Sequence, residues 1–168
     1  LHDMTNQYHG FAYLEDILDD HSRITAVLGT SNDRFEIPNR RGLQPDLGLT
    51  VNGQTDFLSN DMDERQRELT HFGIVSYQRS QGALDFQVSG TVRYSSLTFT
   101  PDAVGDLLYN GIAQNAYKRD VTYGLQAEGA YHLGSDHTIR GGVIIQSDTS
   151  LSHTSSQVLP ANRAGGGA

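Results

Sequence analysis

From Leu84 to Tyr94 the chain alternates with a period of two. Phe86, Val88, Gly90, Val92 and Tyr94 are apolar or glycine, and Asp85, Gln87, Ser89, Thr91 and Arg93 between them are polar. A strand turns successive side chains to opposite faces, so this pattern predicts a β-strand with one wet face and one apolar face. Val121–Leu133 repeats it, with Val121, Tyr123, Leu125, Ala127, Gly129 and Tyr131 against Thr122, Gln126, Glu128 and His132. In His137–Ser147, Ile139, Gly141, Val143 and Ile145 oppose Thr138, Arg140 and Gln146. Three further segments, Gly10–Leu18, Arg23–Phe35 and Leu69–Gln78, read as less regular strands. The first and last carry apolar residues in both sets, which leaves their facing open.

The breakers between these segments are of two kinds. Asp19–Ser22, Arg79–Gly82 and Gly134–Asp136 are short, polar and of hairpin type. Residues 39–68, 101–120 and the stretch after Ser147 are long and rich in turn-forming residues. Tight turns and long loops therefore alternate. The expected fold is all-β: an antiparallel up-and-down meander of about six strands, with hairpins at about 9–38, 69–100 and 121–148. Within the second long loop, Val104, Leu107, Leu108, Ile112 and Ala116 fall at helical spacing and predict a short helix between Asp102 and Ala116. The glycine-rich residues 161–168 read as a flexible tail.

Composition narrows the class. With 168 residues the chain has one domain's length. The absence of cysteine excludes disulfides, cysteine-based zinc sites and thiol catalysis. A formal charge of −8 without a basic run argues against nucleic acid as a partner. No segment approaches the ~18–20 apolar residues of a membrane helix, but a membrane β-strand needs only ~9–11 alternating residues. Long loops at one end and tight turns at the other are the layout of outer-membrane barrels. Tyr77, Phe86 and Tyr131 lie near short turns, and Tyr94 stands eight residues beyond Phe86 on the same face. At ~3.4 Å per residue and ~40° tilt, that separation is about 20 Å of height, against an apolar band of ~25 Å.

On this reading Phe86, Val88, Val92, Tyr94, Val121, Tyr123, Leu125, Tyr131, Ile139, Val143 and Ile145 are expected to face lipid. Asp85, Gln87, Arg93, Gln126, Glu128 and Arg140 are expected to face the lumen. The alternatives are a soluble β-sandwich that binds a carbohydrate or a protein, and a barrel enzyme with a Ser/His site at its rim. Six strands cannot close a membrane barrel, whose minimum is about eight. Both ends also read as cut, so the chain is expected to be an internal segment of a longer polypeptide.

Candidate chemistry is sparse. Arg40 and Arg41 open the first long loop and suit an anionic ligand. The acidic run from Asp56 to Glu64, with Asp61, Asp63 and Glu64, offers hard oxygen ligands but lacks the spacing of a calcium loop. His132 and His137 flank a turn where they could meet across a hairpin. No nucleophile elbow and no phosphate-cradling glycine loop occurs. No catalytic residue, metal or cofactor is therefore expected.

Three stretches carry a family resemblance: Gly29-Thr30-Ser31-Asn32-Asp33-Arg34-Phe35-Glu36-Ile37-Pro38-Asn39, Arg93-Tyr94-Ser95-Ser96-Leu97-Thr98-Phe99-Thr100-Pro101-Asp102 and Gly105-Asp106-Leu107-Leu108-Tyr109-Asn110-Gly111-Ile112-Ala113-Gln114. In these runs the chain resembles the barrel region of TonB-dependent outer-membrane receptors, over most of its length. The resemblance implies a 22-stranded transmembrane β-barrel filled by an N-terminal plug, of which residues 1–160 would be a part. It also implies location in the Gram-negative outer membrane and contact with outer-membrane lipid. The expected ligand is an iron chelate (ferric siderophore) or cobalamin, and energy arrives from the TonB complex through the plug, which this sequence lacks.

Overall fold

Six strands form one antiparallel sheet in strict sequence order: β1 (Thr5–Asp19), β2 (Ser22–Glu36), β3 (Arg65–Gln81), β4 (Leu84–Thr100), β5 (Ile112–Leu133) and β6 (His137–Val158). A short helix, α1 (Ala103–Asn110), stands between β4 and β5. The computed structural model describes residues 3–159; the expected flexible tail at 161–168 lies outside the described residues.

The tight turns fall where the breakers placed them. The first hairpin turns at Asp20 and His21, where the Asp19 carboxylate accepts the His21 amide at 2.8 Å. The other two turn through Gly82 and Gly134, whose positive φ angles (63° and 67°) favour a residue without Cβ. Strand length grows along the sheet, from 15 residues in β1 and β2 to 22 in β5 and β6.

Two expected loops are shorter than the sequence suggested. The stretch after Ser147 is strand: β6 runs on to Val158. The second long loop ends at Gly111, because β5 begins at Ile112 rather than near Asp120. Both extensions are polar on both faces, and the two strands satisfy each other's backbone groups from Ile112↔Val158 to Leu133↔His137. A ladder needs no apolar side chain, so alternation could not find them. The expected helix is present but shorter, over Ala103–Asn110; Ile112 and Ala116, counted in its spacing, belong to β5 because Gly111 ends the helix at φ 73°.

Register assigns the faces. Directly paired residues share a face, so the row Leu28↔Gly73↔Val92↔Tyr123 lies on one side. The row Arg23↔Gln78↔Gln87↔Glu128 lies on the other. The open assignments resolve accordingly. In β3, His71, Gly73, Val75 and Tyr77 join the apolar side. In β1, Gly10, Ala12 and Leu14 join it, whereas Phe11, Tyr13 and Ile17 go to the polar side.

Among the described residues no second sheet covers either face of this one. Among the described residues the buried hydrophobics are Val51, Met62, Leu107, Leu108 and Ala113, which lie in the β2–β3 loop, in α1 and at the start of β5. The chain exposes 11657 Å². A compact monomer of 18.4 kDa would expose roughly 8,200 Å².

Candidate functional site

The apolar face is uncovered. Val75, Val92, Leu125, Val143 and Ile145 are all exposed, Ile145 to 65%. Every residue expected to face lipid lies on this one side, from Phe86, Val88, Val92 and Tyr94 in β4 to Ile139, Val143 and Ile145 in β6. Aromatic contacts sit towards its two ends. Near the short turns, Tyr77 and Phe86 meet edge-on with centroids 5.8 Å apart. Towards the long loops, His71 and Tyr94 stack at 6.3 Å. Between them a shallow groove of about 620 Å³ runs over Gly73 and Gly90, walled by Leu28, Tyr123 and Leu125.

The opposite face is a hydrogen-bonded polar lattice. Arg23 donates to Gln78 at 2.5 Å and to Glu15 at 3.2 Å. Gln78 donates to Gln87, which donates to Ser89 at 3.0 Å. Ser76 and Ser89 share a hydrogen bond of 2.8 Å. Asp85, Gln87, Arg93, Gln126, Glu128 and Arg140, the residues expected to face a lumen, all lie on this side. A concavity of about 630 Å³ opens among Arg23, Gln78, Asp85, Gln87, Glu128 and Arg140. The charges around it are of both signs, so it is polar without being an anion or cation trap.

His132 and His137 do not meet. His132 pairs with Thr138 across the hairpin and His137 with Leu133, which puts the two rings on opposite faces. His132 instead lies 2.8 Å from Asp85 and 3.0 Å from Thr138. Among the described residues no group of three or more His, Asp or Glu side chains is placed to hold a metal ion.

Beyond the long-loop end of the sheet lies a small packed layer. Leu108 is fully buried against Val51, Leu107 and Ala113, with Phe57, Val104 and Leu49 around them. Asp102 caps α1 by accepting the amides of Val104 and Gly105, which satisfies two of the donors a helix start leaves open. Its second oxygen accepts the Asp63 amide at 3.1 Å, tying the helix to the strand entry at β3. Gly111 ends the helix at φ 73°. The Tyr109 hydroxyl lies 2.7 Å from the carbonyls of both Leu43 and Phe57, and its ring meets Phe57 edge-on.

The loop residues singled out in the sequence do not form one site. Arg40 and Arg41 are exposed, by the turn that Gly42 allows at φ 75°. Asp61 is exposed at the end of a single 3-10 turn (Ser59–Asp61). Asp63 is held by Arg65 at 2.6 and 2.7 Å. Glu64 turns the other way, onto Asp106 of α1.

That contact is chemically unusual. Asp106 is buried, and its Oδ2 accepts no hydrogen bond from a donor among the described residues. The group facing it that can supply a proton is the Glu64 carboxyl. Partial burial, with the Asp106 and Asp102 charges nearby, pushes Glu64 up to about 7. Burial raises Asp106 as well, opposed by its bonds to Glu64 and Asn110. Glu64 thus keeps its proton up to near neutrality beside the Asp106 carboxyl. Sequence reading missed Asp102, Asp106 and Tyr109 as participants. The signal for Asp102 was an aspartate directly before the helical pattern; the Glu64–Asp106 contact had none, because the whole β3–β4 hairpin separates the two residues.

No family model and no curated protein matches the sequence.

Proposed function

We propose that the six strands are part of the wall of a transmembrane β-barrel in the outer membrane of a Gram-negative cell. One observation carries the reading: a wide, exposed apolar face on a single sheet whose buried core is confined to the loop end. In water such a face marks an interaction surface or an aggregation hazard. In a bilayer it is the lipid contact. Its height fits: from Leu84 to Tyr94, ~3.4 Å per residue at ~40° tilt spans about 26 Å, against ~25 Å for an outer-membrane barrel. The polar lattice on the other face suits a wet lumen. The outer edges of β1 and β6, open in the described sheet, would pair with further strands. A sandwich would need a second sheet over the apolar face, and the described strands form only one.

The finer reading is a TonB-dependent receptor that imports a scarce nutrient, an iron chelate or cobalamin, with energy passed from the TonB complex through a plug. It rests on the three resembling stretches, which converge at the long-loop end as the upper parts of β2 and β4 and the helix α1. Recognition would fall to the loop layer there, and catalysis has no part in it.

The deciding experiment fractionates cells carrying the full polypeptide and runs the outer membrane on a semi-native gel. A β-rich band that shifts on heating supports the barrel. A folded monomer in the soluble fraction overturns it. For the receptor reading, deletion of residues 39–63 should abolish binding of the ferric siderophore or cobalamin while leaving the heat-modifiable band; retention of binding would remove the loop from recognition.

A further inference from the structure

The apolar face ends differently at its two margins. Beyond Tyr94 and Val121, towards the long loops, the same face carries Arg34, Arg67 and Arg119, all exposed. Arg34 and Arg67 are direct cross-strand partners, Arg67 continues that row through Thr98 to Tyr117, and Arg119 pairs with Ser96 in the row beside it. Like charges placed directly opposite repel, so the Arg34–Arg67 pair calls for an anion between them.

The protein supplies little neutralisation there. Arg67 donates to the neutral Asn32 at 3.2 Å. On this side Asp63 and Glu36 are engaged with another cation: Asp63 holds Arg65 at 2.6 Å, and Glu36 acts on the same Arg65; Glu68 and Asp120 stand on the opposite face. Tyr94 and Tyr117 hydrogen-bond to each other amid the three arginines, giving the aromatic rim typical of a membrane interface. At the short-turn margin this face has one arginine, Arg79, whose guanidinium reaches the Tyr77 hydroxyl and lies near Asp19. The excess of unneutralised positive charge is therefore confined to the long-loop side.

We infer that Arg34, Arg67 and Arg119 form a belt that binds anionic, phosphate-bearing lipid headgroups in the leaflet on the long-loop side. The inference rests on the barrel reading. Guanidinium matches phosphate in charge and in its fork of donors. A row of arginines directly above an apolar band stands at headgroup height, with its stems along the acyl boundary.

The test refolds the full polypeptide into phosphatidylcholine vesicles with and without phosphatidic acid, and measures the inserted, heat-modifiable fraction. The native protein should prefer the anionic vesicles, and added salt should weaken the preference. Arg34→Gln, Arg67→Gln and Arg119→Gln should each cost about fivefold in that preference. Arg23→Gln and Arg140→Gln, on the opposite face, should leave it intact, and lysine at the three belt positions should restore most of it. Equal insertion of the native protein into both vesicles, or a preference unchanged in the triple variant, overturns the belt while the barrel stands. A protein that stays soluble with either vesicle overturns the barrel reading and the belt with it.

Discussion

The ring of Phe72 lies across Gly29 of the neighbouring strand, where any Cβ would overlap it. The pair sits on the polar face, directly opposed in the β2–β3 ladder. A strand glycine leaves backbone exposed, and an aromatic neighbour laid over it covers that gap. Gly29→Ala should drive the ring from its place and cost about 1–3 kcal/mol. Phe72→Ala in the same chain should remove the overlap, so the double variant should be less destabilised than the two singles summed. Denaturant unfolding of the four proteins in one detergent measures the coupling.

The two sheet faces should respond oppositely to one added charge. Leu125→Arg or Val92→Arg, near the middle of the apolar band, should cost about 2–4 kcal/mol in a bilayer. Gln126→Arg, one position along on the polar face, should cost little. Folded fractions in vesicles, read from the heat-modifiable band across a denaturant series, compare them. Equal penalties on both faces would contradict a lipid-facing side.

The Glu64–Asp106 pair gives the loop layer a pH dependence of known sign. Glu64 titrates near 7 when folded, above the ordinary 4.5 of a free glutamate. Between those values the folded form holds a proton that the unfolded form has released, so stability falls as pH rises across that window. Below it both forms are protonated and the dependence ends. Docking of α1 should therefore loosen from pH 5 towards pH 8, seen as faster proteolysis within residues 39–63. Glu64→Gln, neutral at every pH, should flatten that profile.

Leu108 is the fully buried side chain of the loop core. Leu108→Ala should cost about 2–5 kcal/mol of loop docking. Because α1 touches the sheet chiefly at β5 and β6, the strands should keep their heat-modifiable behaviour while the loop becomes protease-sensitive. Loss of the barrel band in this variant would show that the loop layer is needed to fold the sheet.

Much of this architecture was legible in the amino-acid order, for identifiable reasons. From Leu84 to Tyr94 in β4 and from Val121 to Leu133 in β5 apolar and polar residues alternate, and the register keeps every expected face together. β1 and β3 could not be read alone, since Phe11, Tyr13, Phe72 and Ile74 put apolar groups on the polar side; only pairing with β2 settled them. Ile112–Asp120 was read as the end of a helix and loop because Ile112 and Ala116 fit a helical spacing, and Asp148–Val158 as loop because Ser, Thr and other polar residues fill both faces. Their strand character comes from backbone bonding to each other and, for residues 116–120, to β4, which leaves no mark in hydropathy. The Glu64–Asp106 contact stayed hidden because tertiary folding alone brings Glu64 onto α1.

Every described strand pairs only with its neighbours in the chain, and this bears on how the sheet comes together. Chain entropy lost on closing a loop grows with the logarithm of its length. The hairpin turning at Gly134 closes over a few residues and gains a ladder 22 residues long on each side. Of the three hairpins it gains the longest ladder for a closure of similar length. Each later strand adds to a finished edge, and the widest gap to be bridged is the stretch between β2 and β3. Assembly can therefore run as a zipper from β6 back towards β1, without any strand having to thread between two already joined.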